Sequence, residues 1–172
     1  MGPVSAEVEI DASRERAFEF VADLANRPAF TDHFISDFHL LEIDSTGVGA
    51  GARFRAFVPP RAVWMDTAIS RSEFPHRLSE RGRGGRSNRT PHATEWEFLD
   101  VPGPLSTVRV VFWTKPQHPA DRAIETLGAA SLWYWRDWAT ALQRLRPLLE
   151  SGAAPAARVR VAGGNRLATG VP

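Results

Sequence analysis

The chain has 172 residues, of which 43% are apolar and 24% are charged, so it is large enough for one globular domain with a substantial core. Its formal net charge of +1 gives no bulk electrostatic reason to expect nucleic acid or an anionic membrane as a partner. Because it contains no cysteine, a disulfide framework, a thiolate nucleophile and a cysteine-based zinc site are excluded.

Two further features concern location and origin. The sequence has no run near the ~18 apolar residues of a membrane span and no apolar segment of a secretory signal, so we expect no membrane insertion and a cytoplasmic protein. Lys115 is the one lysine among 21 basic residues, and Ala, Gly and Pro are frequent, which is typical of a GC-rich bacterium such as an actinomycete.

The N-terminal part predicts a strand followed by two short helices. Val4 to Ile10 alternates apolar and polar residues, as a half-buried strand does. Asp11 to Ser13 then supplies N-cap candidates for a helix whose apolar residues, from Phe18 to Ala25, recur at helical spacing. Asn26-Arg-Pro28 ends this helix, and its proline suits the first turn of a second one that ends near His33.

The middle of the chain predicts a series of strands separated by turns rich in glycine and proline. The predicted strands are Ile35 to Ile43, Arg53 to Val58, Val63 to Phe74, Leu78 to Arg83, Thr94 to Phe98 and Ser106 to Thr114. The predicted turns and loops are Thr46 to Gly51, Pro59-Pro60, Pro75-His76, Gly84 to Arg89 and Pro102 to Pro104. The glycines of the first turn lack the spacing and the following helix of a dinucleotide-binding motif.

One long helix is predicted from Pro119 to Glu150, with a length of ~45 Å if it is fully helical. At helical spacing, the stripe that faces the sheet consists of Leu127, Ser131, Tyr134, Trp138, Leu142, Leu145 and Leu149. Trp133 and Trp135 lie off this stripe, so we expect the loop of residues 89–92, the C-terminal tail or a second subunit to cover them.

The last part of the chain, residues 151–172, is interpreted as a tail that follows a domain of residues 1–150. Ser151 to Ala157 has the composition of a linker, and Arg158 to Val161 can form a short strand. From Gly163 onward the sequence predicts loose structure.

Several segments, in this order, carry a resemblance to a known family. They are Val8 to Phe18, Asn26 to Pro28, Gly51 to Phe54, Trp64 with Ile69, the Phe74-Pro75 turn, Thr107 to Val110 and Leu142 to Glu150. Together they resemble the SRPBCC (START-like) superfamily, and most closely its polyketide cyclase/dehydrase-like bacterial members. The resemblance implies an α+β helix-grip domain, in which a curved antiparallel sheet of about six to seven strands wraps around the long helix. It also implies an elongated, largely apolar cavity between sheet and helix, but no particular activity.

Two residues are candidate catalytic groups for such a cavity. Tyr134 would present its hydroxyl to the cavity as a donor. His33 follows Asp32 at the end of the second short helix, which borders the cavity mouth in this fold, and a histidine there could act as general acid or base. A core tyrosine and a surface histidine are the alternatives. The candidate ligand-binding residues are Trp64, Asp66, Arg71, Trp96, Phe98, Phe112, Ser131 and Trp138.

The charged strand residues divide into two groups. Burying an unpaired charge costs several kcal/mol, so an outward-facing ladder across the strands is expected from Glu95, Glu97 and Arg109. Asp66, Arg55 and Arg71 remain ambiguous, because a buried Arg–Asp pair could orient a carbonyl or a carboxylate, whereas solvated faces are the default.

Metal and nucleic-acid sites are not expected. No two of the five histidines have the i,i+4 spacing of a helical metal site, so we expect neither a metal nor a cofactor. The arginines between Arg81 and Arg89 have glycines among them and no interleaved aromatics, which favours a solvated turn over a nucleic-acid site.

The sequence therefore leaves three hypotheses for function. The protein binds an apolar or aromatic small molecule as a polyketide cyclase-like or dehydratase-like enzyme, which works by proton transfer. Alternatively, it is a non-catalytic carrier or sensor of a lipid or metabolite. The third hypothesis is a protein-interaction module, such as a homodimer, that uses Trp133 and Trp135.

Overall fold

Alternating apolar residues turn one face of each strand inward and assemble a single curved, open sheet around a long helix. The computed structural model describes residues 1–58, 61–101, 105–127, 129–152, 158–161 and 164–167. The predicted turns at residues 59–60 and 102–104 lie outside this part of the chain, as does most of the predicted linker.

The described strands are β1 (Val4–Ile10), β2 (Ile35–Leu40), β3 (Gly51–Val58), β4 (Arg61–Glu73), β5 (Arg77–Gly84), β6 (Thr90–Asp100), β7 (Ser106–Thr114), β8 (Arg158–Val161) and β9 (Gly164–Leu167). The described helices are α1 (Arg14–Ala22), α2 (Pro28–Thr31), α3 (Pro119–Leu127) and α4 (Ala130–Ser151). The strand order is β1-β7-β6-β5-β4-β3-β2-β8-β9, and neighbours are antiparallel except for β2 and β8. The predicted α+β architecture is confirmed.

The N-terminal elements form as their sequence predicts. In β1 the side chains of Ala6, Val8 and Ile10 are buried, while the residues between them are exposed. Ser13 caps α1, because its hydroxyl oxygen accepts a hydrogen bond from the backbone N–H of Arg16.

The prediction of one helix from Pro119 to Glu150 is wrong, since the chain forms two helices there. Ala129 has a left-handed backbone, with φ of +48°, directly before α4 begins. The sequence places Gly128 before it, and glycine costs ~1 kcal/mol relative to alanine within a helix. As a result the first two residues of the predicted stripe do not face the sheet: Leu127 is 87% exposed and Ser131 is exposed.

The other five residues of the stripe do pack against the inner face of the sheet. Tyr134, Trp138, Leu142, Leu145 and Leu149 are all buried. The indole of Trp138 meets the indole of Trp96 on β6 edge to face, with ring centroids 5.4 Å apart. Burying an aromatic side chain of this size contributes ~1.5–3 kcal/mol, so this row anchors α4.

The tail adds an edge to the sheet. Arg158 to Val161 forms the predicted short strand, which pairs in parallel with β2, and the side chain of Val159 is buried. The prediction of loose structure beyond it is wrong for Gly164–Leu167, which pairs with β8.

A glycine within β5 lets a histidine side chain of β6 reach over β5 to β4. Gly82 pairs with His92 of β6, and a Cβ atom added to Gly82 would lie 1.8 Å from the carbonyl oxygen of Asp66 and 2.7 Å from Nε2 of His92. Because glycine leaves this space free, the imidazole reaches over β5 to the Asp66 carbonyl on β4, 3.0 Å from Nε2.

We expect Gly82→Ala to lower the free energy of unfolding by ~1–3 kcal/mol, because the new methyl group collides with backbone that cannot move freely. Urea denaturation measures this change. The matched control is Arg83→Ala, which truncates the exposed neighbour in the same strand and is expected to change stability by less than ~0.5 kcal/mol. Equal stability of the two variants would contradict the close approach at Gly82.

Candidate functional site

A cleft opens between α3, the start of α4, the first residues of β4 and the turn that joins β5 to β6. Its volume is about 430 Å³, which lies within the range of ~300–1,000 Å³ that is usual for small-molecule sites. Its walls are mainly apolar and include Ala62, Val63, Met65, Ile124 and Ala130. The charged residues around it are Arg61, Arg86, Arg89, Asp121 and Glu125.

A much smaller void lies deeper, between the sheet and α4. Its volume is about 20 Å³, enough for roughly one molecule of the size of water. Aromatic side chains surround it: Phe34, Phe38, Phe54, Phe112 and Trp138. Met65, His92 and Tyr134 line both spaces and so stand between them. The elongated cavity that the resemblance implies is therefore divided, with aromatic rings filling much of the grip.

Polar contacts hold α3 over the cleft. Arg89, in the turn before β6, donates two hydrogen bonds to the carboxylate of Asp121 on α3, at 2.7 and 2.8 Å. The guanidinium lowers the pKa of Asp121 through these bonds. The hydroxyl of Thr114 on β7 donates to Glu125, 2.8 Å away. None of the residues of α3 is buried, so the helix is positioned by these contacts rather than by a packed core.

Tyr134 presents a hydroxyl donor at the inner end of the cleft. Its ring packs on Phe112, with centroids 4.6 Å apart, and the side chain is 6% exposed. The hydroxyl donates to the sulfur of Met65 at 3.8 Å, which is a weak acceptor. Burial raises the pKa of Tyr134 well above its ordinary value, so the hydroxyl stays protonated.

His92 presents an acceptor in the same region. Its side chain is 4% exposed, and burial lowers its pKa, which favours the neutral imidazole. Nε2 carries the proton, since its partner is the carbonyl oxygen of Asp66 and a carbonyl can only accept. Nδ1 is buried, and the described residues supply no hydrogen-bond partner for it.

A buried ion pair lies beside the void. Nη2 of Arg27 is 2.6 Å from Oε1 of Glu80, and both side chains are almost fully buried. Glu80 also accepts hydrogen bonds from the indole N–H of Trp96 at 2.8 Å and from the hydroxyl of Thr67 at 3.2 Å. The guanidinium of Arg27 sits 4.9 Å from the ring centre of Trp96. Taking such charges out of water costs several kcal/mol each, so the additional hydrogen bonds are needed to keep the pair in the core.

The polar residues predicted on β4 point away from the space between the sheet and α4. The inward positions of this strand are Met65, Thr67 and Ile69. The ring of Trp64 therefore lies on the outer face, 5.1 Å from the guanidinium of Arg53, although the residue also borders the cleft. Asp66 accepts a hydrogen bond from Asn88 at 2.7 Å.

The default of solvated faces holds for all three ambiguous residues, and the alternative of a buried Arg–Asp pair does not form. Asp66 is 3.5 Å from Arg53, Arg55 is 3.4 Å from Asp37, and the exposed Arg71 pairs with Glu73. Asp66 lies on the outer face because the odd-numbered residues of β4 face inward as far as Ile69, and Arg71 follows the register shift after Ile69. In β3, Arg55 alternates with the buried Phe54 and Ala56. The outward ladder is confirmed, as the ion pairs Arg109–Glu97, Arg109–Glu7 and Arg81–Glu95 show.

The remaining predicted ligand-binding residues fall in different places. Trp96, Phe98, Phe112 and Trp138 are buried, and the last two line the void. Ser131 is exposed and borders a separate shallow pocket beside Thr114.

His33 lies outside both spaces. It is exposed, its Nε2 is 3.1 Å from the carbonyl oxygen of Asp137, and its Nδ1 is 3.1 Å from Arg144. Both ring nitrogens are therefore engaged at the surface, and its catalytic role stays a prediction.

The two tryptophans off the stripe lie on the outer side of α4. Trp133 is partly buried, with the guanidinium of Arg136 4.1 Å from its ring centre. Trp135 is 50% exposed and borders a shallow pocket beside β1. The homodimer hypothesis stays a prediction.

Sequence reasoning missed His92, Arg27 and Glu80. A glycine inside a strand marks a close approach of another group, so Gly82 and its partner in the neighbouring strand were a usable signal for His92. No local signal reveals the ion pair, because its partners are 53 residues apart and the cost of burial argues against placing either of them inside.

Comparisons with known proteins agree on the fold. No protein-family model and no curated protein matches the sequence. A START superfamily protein from Mycobacterium smegmatis matches with a TM-score of 0.56 at 14% identity, over 83% of this chain and 98% of that one. A protein from Thermus thermophilus matches with a TM-score of 0.65 at 16% identity, over 89% and 100%. DynU16, from the dynemicin biosynthetic locus, matches with a TM-score of 0.58 at 19% identity, over 87% and 48%.

The chain has a START-like helix-grip fold. The fold expected from the resemblance is thus confirmed, and at these identities the similarity concerns fold alone. In the described ranges no helix is long and apolar enough to cross a membrane, and no group of three or more potential metal-binding side chains comes together.

Tyr134 is the only tyrosine of the chain, so tyrosinate absorbance reports on it alone. Since its pKa is raised above the ordinary value of 10.0, the folded state holds the proton more tightly than the unfolded chain. Stability therefore falls as the pH rises above that value. About one pH unit above it, we expect the folded protein to show little tyrosinate and denaturant to release the signal.

The control for this titration is Tyr134→Phe, which should lack the signal in both states. A folded protein that titrates with the midpoint of free tyrosine would contradict the burial of the hydroxyl.

Proposed function

We propose that the protein binds an apolar or aromatic small molecule in the cleft between α3, α4 and the sheet. The observation that carries this proposal is an apolar-walled space of about 430 Å³ with two buried polar side chains, His92 and Tyr134, at its inner end. Sites that bind small molecules combine these features, since the apolar walls supply affinity and a few polar groups supply orientation.

The charges around the cleft favour a ligand without a strong charge. Arg89 and Asp121 neutralise each other, and Glu125 accepts from Thr114. Arg61 and Arg86 are exposed to solvent, where their field is screened. Binding then depends on the apolar walls, at ~25 cal/mol for each Å² of apolar surface removed from water.

The similarity to known structures supports the same proposal. A START superfamily protein and a protein of a biosynthetic locus share this fold, which supports a small biosynthetic molecule as the ligand. The finer proposal, that the ligand is a polyketide-like substrate of a cyclase or dehydratase, also follows from the resemblance of the sequence.

For an enzyme of that kind, Tyr134 is the residue suited to act on a carbonyl group. Its hydroxyl stays protonated and is poised to donate a hydrogen bond as negative charge develops on the carbonyl oxygen. A carrier or sensor that releases its ligand unchanged is the alternative. Mass spectrometry of the released molecule separates the two, because only an enzyme changes its mass or connectivity.

The test of binding is to fill the cleft from α3. Ala120 is exposed and lines the cleft, whereas Ala123 is exposed on the same helix and does not line it. We expect Ala120→Trp to weaken binding of the fluorescent probe N-phenyl-1-naphthylamine by at least about tenfold, since the indole occupies the space that the probe needs. Ala123→Trp should leave binding unchanged.

Fluorescence titration of the three proteins gives the comparison. Equal affinities of wild type and Ala120→Trp, or no binding to wild type, would contradict the cleft as the ligand site.

A further inference from the structure

The buried acceptor on His92 has a fixed chemical state. Nε2 donates to the carbonyl of Asp66, so the neutral ring has an unprotonated Nδ1. Nδ1 is buried, and no partner for it occurs in the described ranges. A buried acceptor that is left unsatisfied destabilises the folded protein. A ligand group that donates to Nδ1 therefore contributes more binding free energy than it would at a solvated site.

The donor on Tyr134 lies in the same corner of the molecule. The ring of Phe112 is 4.6 Å from the ring of Tyr134 and 5.8 Å from the ring of His92. Both side chains line the cleft and the void, and among the described residues the sulfur of Met65, at 3.8 Å, is the only acceptor for the hydroxyl of Tyr134. One strong acceptor and one strong donor therefore lie in the same corner, beside the Arg27–Glu80 pair, whose charges already compensate each other.

These two groups discriminate among ligand chemistries. A carboxylate would place its lone pairs against the lone pair of Nδ1, and the nearby guanidinium of Arg27 is already paired with Glu80 at 2.6 Å. A ketone or an ether can accept from Tyr134 but leaves Nδ1 without a donor. A hydroxyl group both donates and accepts, so it is complementary to both residues.

The surrounding rings favour a flat molecule. Trp64 and Tyr134 line the cleft, and the ring of Phe112 lies behind it in contact with both polar residues. Planar aromatic groups stack well against such walls. A hydroxyl carried directly on an aromatic ring would combine both requirements.

We propose that His92 and Tyr134 select a neutral phenol, whose hydroxyl donates to Nδ1 of His92 and accepts from the hydroxyl of Tyr134. This rests on the proposed function, because the aromatic ring of the phenol would occupy the cleft. A water molecule has the same donor and acceptor capacity and is the competing occupant of the polar corner.

The test is isothermal titration calorimetry with three naphthalene probes near neutral pH. 2-Naphthol can donate and accept, 2-methoxynaphthalene can only accept, and naphthalene can do neither. We expect wild type to bind 2-naphthol about tenfold more tightly than 2-methoxynaphthalene. Equal affinities of these two probes would overturn the proposal and leave water as the occupant.

Two variants assign the discrimination to its residues. In His92→Phe a ring is kept but both nitrogens are lost, so no acceptor remains and the preference for 2-naphthol over 2-methoxynaphthalene should disappear. Tyr134→Phe should weaken both oxygen-bearing probes relative to naphthalene. A preference that survives in His92→Phe would overturn the role of Nδ1, and the wild-type probe series decides the matter if that variant does not fold.

The same experiment separates this proposal from the one on which it rests. If none of the three probes binds, the apolar ligand site itself is contradicted. If all three bind with equal affinity, the cleft is a ligand site and only the selection of a phenol is wrong.

Discussion

The left-handed backbone of Ala129, between α3 and α4, is the constraint on which the candidate site depends. A continuous helix would carry Leu127 and Ser131 along the stripe toward the sheet and cover its end. Instead the backbone turns left-handed at Ala129, and α3 leaves the sheet without burying any residue. The space between α3 and β4 is the cleft, and the two hydrogen bonds from Arg89 to Asp121 hold its outer wall in place.

The interior of the grip contains more polar chemistry than an apolar cavity requires. The pair Arg27–Glu80 is nearly fully buried and is stabilised by hydrogen bonds from Trp96 and Thr67. His92 is accommodated differently, since its ring lies over Gly82 and one of its nitrogens, Nε2, donates to the Asp66 carbonyl. Both oxygens of Glu80 have partners within the chain, although Nε of Arg27 has none among the described residues, whereas His92 borders the cleft and leaves Nδ1 as an acceptor for another molecule. This difference separates a structural polar cluster from a candidate recognition site.

The fold could be predicted because its signals are local and repeated. Alternation in β1 and β7, the proline of α2 and the aliphatic row from Leu142 to Leu149 each specify an element. The site could not be predicted to the same extent. The inward face of β4 depends on a register shared with its neighbours, so the sequence does not reveal that Met65 and Thr67 face inward, while Asp66 faces outward and Trp64 borders the cleft. The position of Tyr134 beside the cavity follows from helical spacing alone, because α4 is a regular helix along the rest of the stripe.

The proposed ligand site is the cleft between α3 and β4. A crystal structure of the protein grown with 2-naphthol tests it most directly. We expect a naphthalene ring between Ile124 and Met65, with the naphthol oxygen within hydrogen-bond distance of the Tyr134 hydroxyl. A ring bound instead in the shallow pocket beside Trp135, with no ligand between α3 and β4, would contradict it.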